Sequence, residues 1–198
     1  MSDCGCELEA EGEAQRKTLR IVLAINTAMF VVEMAAGLWA GSTGLIADSL
    51  DMLADASVYA ISLYAVGRAA KVRHRAATAS GVLQITLGIG VLVEATRRFL
   101  GDGEPLGMAM IAMGVAAFIA NSICLKLIAA HKGGDVNFRA SYIFSANDVI
   151  ANLGVIISGW LVWQFDSQLP DLIIGILIAA VVVRGGVKIL RDAQGSND

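Results

Sequence analysis

The sequence predicts an all-α membrane protein with six transmembrane helices and both termini in the cytoplasm. Three observations predict this: an apolar composition, six long apolar stretches and an asymmetric distribution of Lys and Arg. The 198-residue chain is 56% hydrophobic and 17% charged, whereas a soluble domain is about 45–50% apolar and about 25% charged. Only three cysteines are present, which excludes a disulfide-stapled secreted scaffold.

Each apolar stretch is long enough to cross the hydrocarbon core, which takes roughly 20 residues of helix. The apolar residues are continuous rather than alternating with polar ones, and this favours helices over strands. Breaks that contain Gly, Asp and Pro separate the stretches and are typical of turns. The predicted spans are 19–40, 44–67, 79–98, 106–130, 139–163 and 170–191.

The positive charges predict the orientation of these spans, because cytoplasmic loops are rich in Lys and Arg. With six spans, thirteen of the fifteen Lys and Arg residues fall on one side, and only Arg97 and Arg98 fall on the other. The acidic N-terminal segment is unlike a signal peptide. The predicted organisation is a flexible acidic cytoplasmic tail over 1–18, a transmembrane domain over 19–192 and a short cytoplasmic tail over 193–198, with no C-terminal soluble domain.

The most informative residues are acids inside the apolar spans. A charged side chain at the centre of a transmembrane helix costs at least ~2.5 kcal/mol, and no Lys or Arg lies mid-membrane to pair with these acids. We therefore expect them to face an internal cavity, where a cation or a proton neutralises them. The six acids are Glu33, Asp48, Asp51, Asp55, Glu94 and Asp148.

Two of the spans bring oxygen ligands to a similar depth. Asp51 and Asp55 are four residues apart and share one helix face, roughly 10 and 17 Å below the outer surface at 1.5 Å per residue. On the fifth span, Asp148 and Asn152 lie roughly 22 and 17 Å below the same surface. Carboxylate and amide oxygens near the middle of the membrane are typical of a cation site.

Other polar residues of the spans have a structural role as an alternative to a role in the site. Asn26 and Glu33 share a face of the first helix and either line the site or bond to neighbouring helices. Glu94 is expected to pair with Arg97 or Arg98 at i+3 or i+4. Cys124 is interpreted as a buried structural residue.

At these residues the chain resembles the cation diffusion facilitator family of divalent-metal/proton antiporters. The resemblance runs in one collinear order over residues 19–192. It rests on Asn26, Glu33, Gly37 and Ser42, on the run Ala47-Asp48-Ser49-Leu50-Asp51-Met52-Leu53-Ala54-Asp55, on Glu94 through Phe99, on Asn121, on Gly134 through Ser141 and on Pro170-Asp171-Leu172.

The resemblance implies a metal site built by two pairs of residues, one on the second helix and one on the fifth. Asp51 and Asp55 match the first pair, whose first member is His in many zinc transporters of the family. Asp148 matches the acidic member of the second pair, but its partner falls at Phe144, which cannot bind a metal. Asn152 is the nearest replacement. Less favoured candidate ligands are Asp48, Asn147, Ser145 and, on the N-terminal tail, Cys4 and Cys6, whose thiols could capture a soft ion.

The predicted function is a proton-coupled exporter of divalent metal ions, because a proton and a metal ion compete for the same oxygens. An oxygen-rich site suits Mn or Fe, while the family implies Zn, Co or Cd as well.

The expected location is a bacterial inner membrane, and a homodimer is left open. The alternative is a transport-inactive membrane subunit related to the family, with a metal-binding or accessory role. The sequence lacks nucleophile triads, phosphate loops and basic nucleic-acid patches, so neither an enzyme nor a nucleic-acid partner is predicted.

Overall fold

The computed structural model is all-α, as the composition and the long continuous apolar stretches predict. It describes the backbone of residues 3–65, 70–100, 104–130 and 136–195, and the side chains of residues 13–60, 63, 75, 78–79, 81–100, 104–130 and 145–191. Six helices follow one another in this part of the chain: α1 (Asp3–Ala40), α2 (Thr43–Ala65), α3 (Ala70–Phe99), α4 (Gly107–Ala129), α5 (Val136–Phe165) and α6 (Leu169–Gly195).

The helices match the six predicted spans, with differences at their ends. The first helix is predicted to begin at residue 19 but begins at Asp3, so α1 includes most of the segment predicted as a tail. That segment contains four Glu residues and no proline, and both features are compatible with helix. Similarly, α3 begins before its apolar stretch does, at Ala70.

Four of the helices contain a described segment long and apolar enough to cross a membrane. The two others differ from them in charge, since α2 carries three aspartates and α3 begins with a basic segment. The segments that qualify are Glu13–Ala40, Gly107–Ala129, Ser145–Phe165 and Leu169–Arg191. The protein is therefore an integral membrane protein of the all-α class.

Helix α2 is the central helix of the bundle, because it contacts all five other helices. The largest interfaces between helices are α1–α2, α3–α6 and α4–α5. A side chain on α2 can therefore meet residues from any other element. This central position explains why the most acidic of the predicted spans is also among the most buried.

One end of the bundle is held together by Asp171, at the start of α6. Its carboxylate accepts hydrogen bonds from the Ser42 hydroxyl (2.6 Å), from the Thr43 backbone N–H (2.6 Å) and from the Gly44 backbone N–H (2.9 Å). It thereby satisfies donors at the N-terminus of α2 that have no partner within the helix. We call this the outer end, following the orientation predicted from the charges, and the opposite end the inner end.

Two apolar clusters lie above and below a layer of buried polar side chains. The outer cluster contains residues from all six helices, among them Leu45, Met110, Val155 and Ile178. The inner cluster consists of Leu19, Val22, Tyr59, Cys124 and Ile128. The buried polar residues between them include Asn26, Glu33, Asp48, Asp55, Asn121, Asp148 and Asn152.

Candidate metal centre

Three aspartates from two helices meet in the polar layer. Asp51 and Asp55 lie one turn apart on α2, and the Asp148 carboxyl on α5 lies within hydrogen-bonding reach of both. Asp55 and Asp148 are buried, and Asp51 is half-buried. The two spans thus place these acids near one another, and their role as metal ligands stays a prediction.

Small residues on α2 let the neighbouring helices approach these acids. Ala47, Ala54 and Ala56 are all buried against the rest of the bundle, and small side chains allow helix backbones in a membrane to come close together. Asp55 and Asp148 are accordingly buried within the protein. The ion pairs found among the described residues are both made by Glu94, so no Lys or Arg neutralises the three aspartates there.

Asn152, the predicted replacement ligand, lies one turn after Asp148 on α5 and is fully buried. Its Nδ2 group donates to the Asp148 backbone carbonyl (2.6 Å), so the amide bonds within its own helix rather than to a neighbour. Its Oδ1 atom meets no hydrogen-bond donor in the part of the chain that the structure describes. Asn152 thus retains a buried acceptor oxygen, as a cation ligand requires.

Tyr59 also belongs to this site, and the sequence analysis missed it. Its hydroxyl donates to Asp55 Oδ2 (3.3 Å) and lies 3.2 Å from the hydroxyl of Ser145, one of the less favoured candidate ligands. The signal was present in the sequence, because Tyr59 follows Asp55 by one helical turn and shares its face. An aromatic residue in an apolar span is, however, most simply interpreted as packing.

A second pair of acids lies nearer the outer end. Glu33 on α1 and Asp48 on α2 are fully buried and lie within hydrogen-bonding reach of each other. Neither Glu33 oxygen meets an N–H or O–H donor from the described residues, and the same is true of Asp48 Oδ2. Asp48 therefore faces Glu33, while Asp51 and Asp55 face Asp148.

A cavity of about 520 Å³ opens beside Asp51, between α5 and α6. Asn147, another less favoured candidate ligand, is exposed in this cavity. Apolar residues line most of its wall, and Arg184 and Lys188 line it towards the inner end of α6. Of the three aspartates, Asp51 alone lines this cavity.

The remaining predicted residues have less to do with the site. Glu94 pairs with both Arg97 (2.7 Å) and Arg98 (2.8 Å), as its spacing predicts. Cys124 is buried and accepts a hydrogen bond from Asn26 Nδ2 (3.7 Å), in agreement with its structural interpretation. The side chains of Cys4, Cys6 and Phe144 lie outside the described set.

The donor set of this site is entirely oxygen. Asp148 shares one contact with Asp51 and another with Asp55, so the carboxylates form two linked pairs. Over the described side chains, no three His, Cys, Asp or Glu groups are already arranged around one point as a metal site requires. Coordination of an ion by all three aspartates would need one or more of them to change rotamer.

Comparisons with known proteins show which family the chain resembles. Residues 19–195 match the family model of the cation efflux transmembrane domain. The chain is 26% identical over 196 residues to the zinc transporter ZitB of Yersinia pseudotuberculosis, covering 91% of this chain and 62% of that protein. It is 24% identical over 198 residues to a cadmium, cobalt and zinc/H(+)-K(+) antiporter of Bacillus velezensis, covering 92% and 63% of the two chains.

A third relative is the metal cation efflux system protein CzcD of Cupriavidus metallidurans, which is 22% identical over 195 residues. This match covers 89% of the present chain and 62% of the relative. The chain thus spans about three fifths of the length of these relatives, and the shared part is the one that contains the six helices.

Proposed function

The chain belongs to the cation efflux family, and on that premise we propose that it exports divalent metal ions across a membrane in exchange for protons. The observation that carries the proposal is the contact of Asp148 with both Asp51 and Asp55 in a buried layer without a cationic side chain. Acids held this way need a mobile positive charge. A divalent ion and protons can supply that charge alternately.

The cycle follows from the position of the three aspartates. A metal ion from the cytoplasm displaces protons and draws the two carboxylate pairs together, with the Asn152 oxygen as a fourth ligand. Rocking of the helices then exposes the site to the outer side, where protons displace the metal. The cavity beside Asp51 offers a route for the ion. The antiporter name of the Bacillus velezensis relative supports exchange against H⁺.

The substrate is a divalent transition metal ion. The named relatives act on zinc, cadmium and cobalt, whereas oxygen ligands without imidazole or thiolate favour Mn and Fe(II). Uptake of each of the five ions into vesicles, with the internal pH followed, ranks them directly. We propose the inner membrane of a bacterium as the location, and a homodimer stays a prediction.

The test is metal flux in proteoliposomes that contain the purified protein and a pH gradient. Asp55→Asn and Asp148→Asn should each abolish flux, because each removes one of the charges that bind the metal and the proton. Asp166→Asn, which changes an exposed acid in the α5–α6 turn, is the matched control and should retain flux. Normal flux in both site variants would refute the proposal.

Two observations favour a second candidate function, that of a metal-binding accessory subunit without transport activity. The three aspartates are not arranged around a single point, and the family position at residue 144 is a phenylalanine. Flux by the purified protein alone separates the two functions, since an accessory subunit would bind metal without moving it.

A further inference from the structure

The Tyr59 hydroxyl joins the two helices that carry the site aspartates. It donates to Asp55 Oδ2 (3.3 Å) on α2 and lies 3.2 Å from the Ser145 hydroxyl on α5. Ser145 precedes Asp148 by nearly one helical turn, so both ends of this bridge lie next to a site aspartate. Both Tyr59 and Ser145 are almost completely buried, with 2% and 1% exposure.

The ring of Tyr59 is held by packing. It belongs to the inner cluster, with Leu19 and Val22 from α1 and Cys124 and Ile128 from α4. Helices α1 and α4 therefore fix the ring, while the hydroxyl reaches α2 and α5. A side chain held from four helices has little freedom, and its hydroxyl stays where Asp55 meets it.

The number of protons on each group determines the direction of the two hydrogen bonds that the Tyr59 hydroxyl makes. A phenol has one proton and can also accept. Asp55 has no donor to offer when it is ionised, so the Tyr59 proton points to Asp55 and the Ser145 proton points to the Tyr59 oxygen. This arrangement holds Oδ2 of Asp55 by a hydrogen bond.

We propose that Tyr59 is a positioning residue for the metal site, which holds the Asp55 carboxylate in place and is itself anchored by Ser145. It acts through Asp55 and does not touch the metal ion. Hydrogen-bond partners of metal ligands fix ligand orientation, and their loss typically weakens metal binding roughly 10–100-fold. This inference rests on the proposed function, because it takes Asp55 as a metal ligand.

The experiment measures binding of Zn²⁺ and of Mn²⁺, each alone, to the purified full chain in lipid nanodiscs, together with flux in proteoliposomes. Tyr59→Phe keeps the ring and removes only the hydroxyl. It should weaken binding and raise the half-saturating metal concentration roughly 10–100-fold, with little change in the maximal flux. Ser145→Ala should cause a smaller change in the same direction, and Ser145→Thr, which keeps a hydroxyl, should restore binding.

Two controls separate positioning from a general structural role. Ser57→Ala also removes a hydroxyl from α2, but one that donates to the Leu53 backbone carbonyl (2.8 Å) and not to the site. It should bind metal as the wild type does. In an Asp55→Ala background, Tyr59→Phe should change residual binding no further, because the two residues act as one unit.

Wild-type binding by Tyr59→Phe would overturn this inference while leaving the proposed function intact. The inference would also be overturned if Tyr59→Phe weakened metal binding as much in the Asp55→Ala background as in the wild type. Tyr59 would then act independently of Asp55. Absence of binding and flux in the wild-type protein itself would instead reject the proposed function.

Discussion

At the scale of single residues, Glu33 and Asp48 form a buried pair with few hydrogen-bond partners among the described side chains. Both side chains are fully buried, and three of their four oxygens meet no donor from the described residues. A buried polar group without a hydrogen-bond partner costs about 1–3 kcal/mol. The burial of this pair therefore has a cost that hydrogen bonds from the described residues do not offset.

Replacing Glu33 by glutamine tests how much the missing hydrogen bonds of this pair cost. Glu33→Gln supplies an amide donor to Asp48 and removes one buried acid, so we expect it to raise the free energy of unfolding by about 1 kcal/mol. Thermal unfolding in detergent at neutral pH measures the change. Glu33→Leu, which supplies no donor, should lower stability instead. Marked destabilisation by glutamine would contradict the prediction and would mean that the pair binds a cation that an amide cannot replace.

At the scale of helices, glycines allow the backbones of α4 and α5 to come close together. A Cβ atom added at Gly159 would lie 2.9 Å from the Gly107 carbonyl oxygen and 2.7 Å from the Met110 Cβ. Both distances are below van der Waals contact, and backbone cannot move aside as easily as a flexible side chain. Gly90 on α3 differs, because a Cβ there would meet nothing within 4 Å.

These two glycines form a matched pair of alanine substitutions. Gly159→Ala should separate α4 from α5 and destabilise the protein by about 1–3 kcal/mol, as overpacking does. Gly90→Ala should be neutral or stabilise the helix by up to about 1 kcal/mol. Unfolding midpoints in the same detergent compare them. Equal midpoints for both variants would show that the helix crossing does not depend on Gly159.

At the scale of the whole molecule, the bundle is asymmetric around the site. The inner cluster closes the Asp55 side of the site, while a cavity of about 520 Å³ opens on the Asp51 side, between α5 and α6. Consequently, an ion that enters the site from the cavity meets Asp51 before the other two aspartates. Arg184 and Lys188 in the same cavity keep it from being uniformly attractive to cations.

Filling the cavity should slow transport without unfolding the protein. Ala151 lines the cavity on α5, and Ala151→Trp should lower the maximal flux because an indole occupies the route to Asp51. The matched control is Ile157→Trp, at an exposed position of the same helix that does not line the cavity. Flux assays in proteoliposomes compare the two, and undiminished flux in Ala151→Trp would place the ion route elsewhere.

Much of this architecture was predictable from local pattern. Continuous apolar stretches identified all six helices, and the i+3 and i+4 spacing identified the Glu94 pairs with Arg97 and Arg98. The helix ends were less predictable, because the Glu-rich segment before residue 19 is helical without being apolar. Hydropathy detects burial in a membrane and does not detect a helix that continues into water.

The sequence by itself determined the class of the protein and the presence of buried acids on two spans, because composition and periodicity are properties of the chain alone. Only the tertiary structure decided which acids face each other: Glu33 meets Asp48, while Asp148 meets Asp51 and Asp55. It also placed Tyr59 at Asp55 and Ser145. The physical reason is that such contacts depend on how each helix is rotated about its axis. Close packing among all six helices sets that rotation, and spacing along one helix does not.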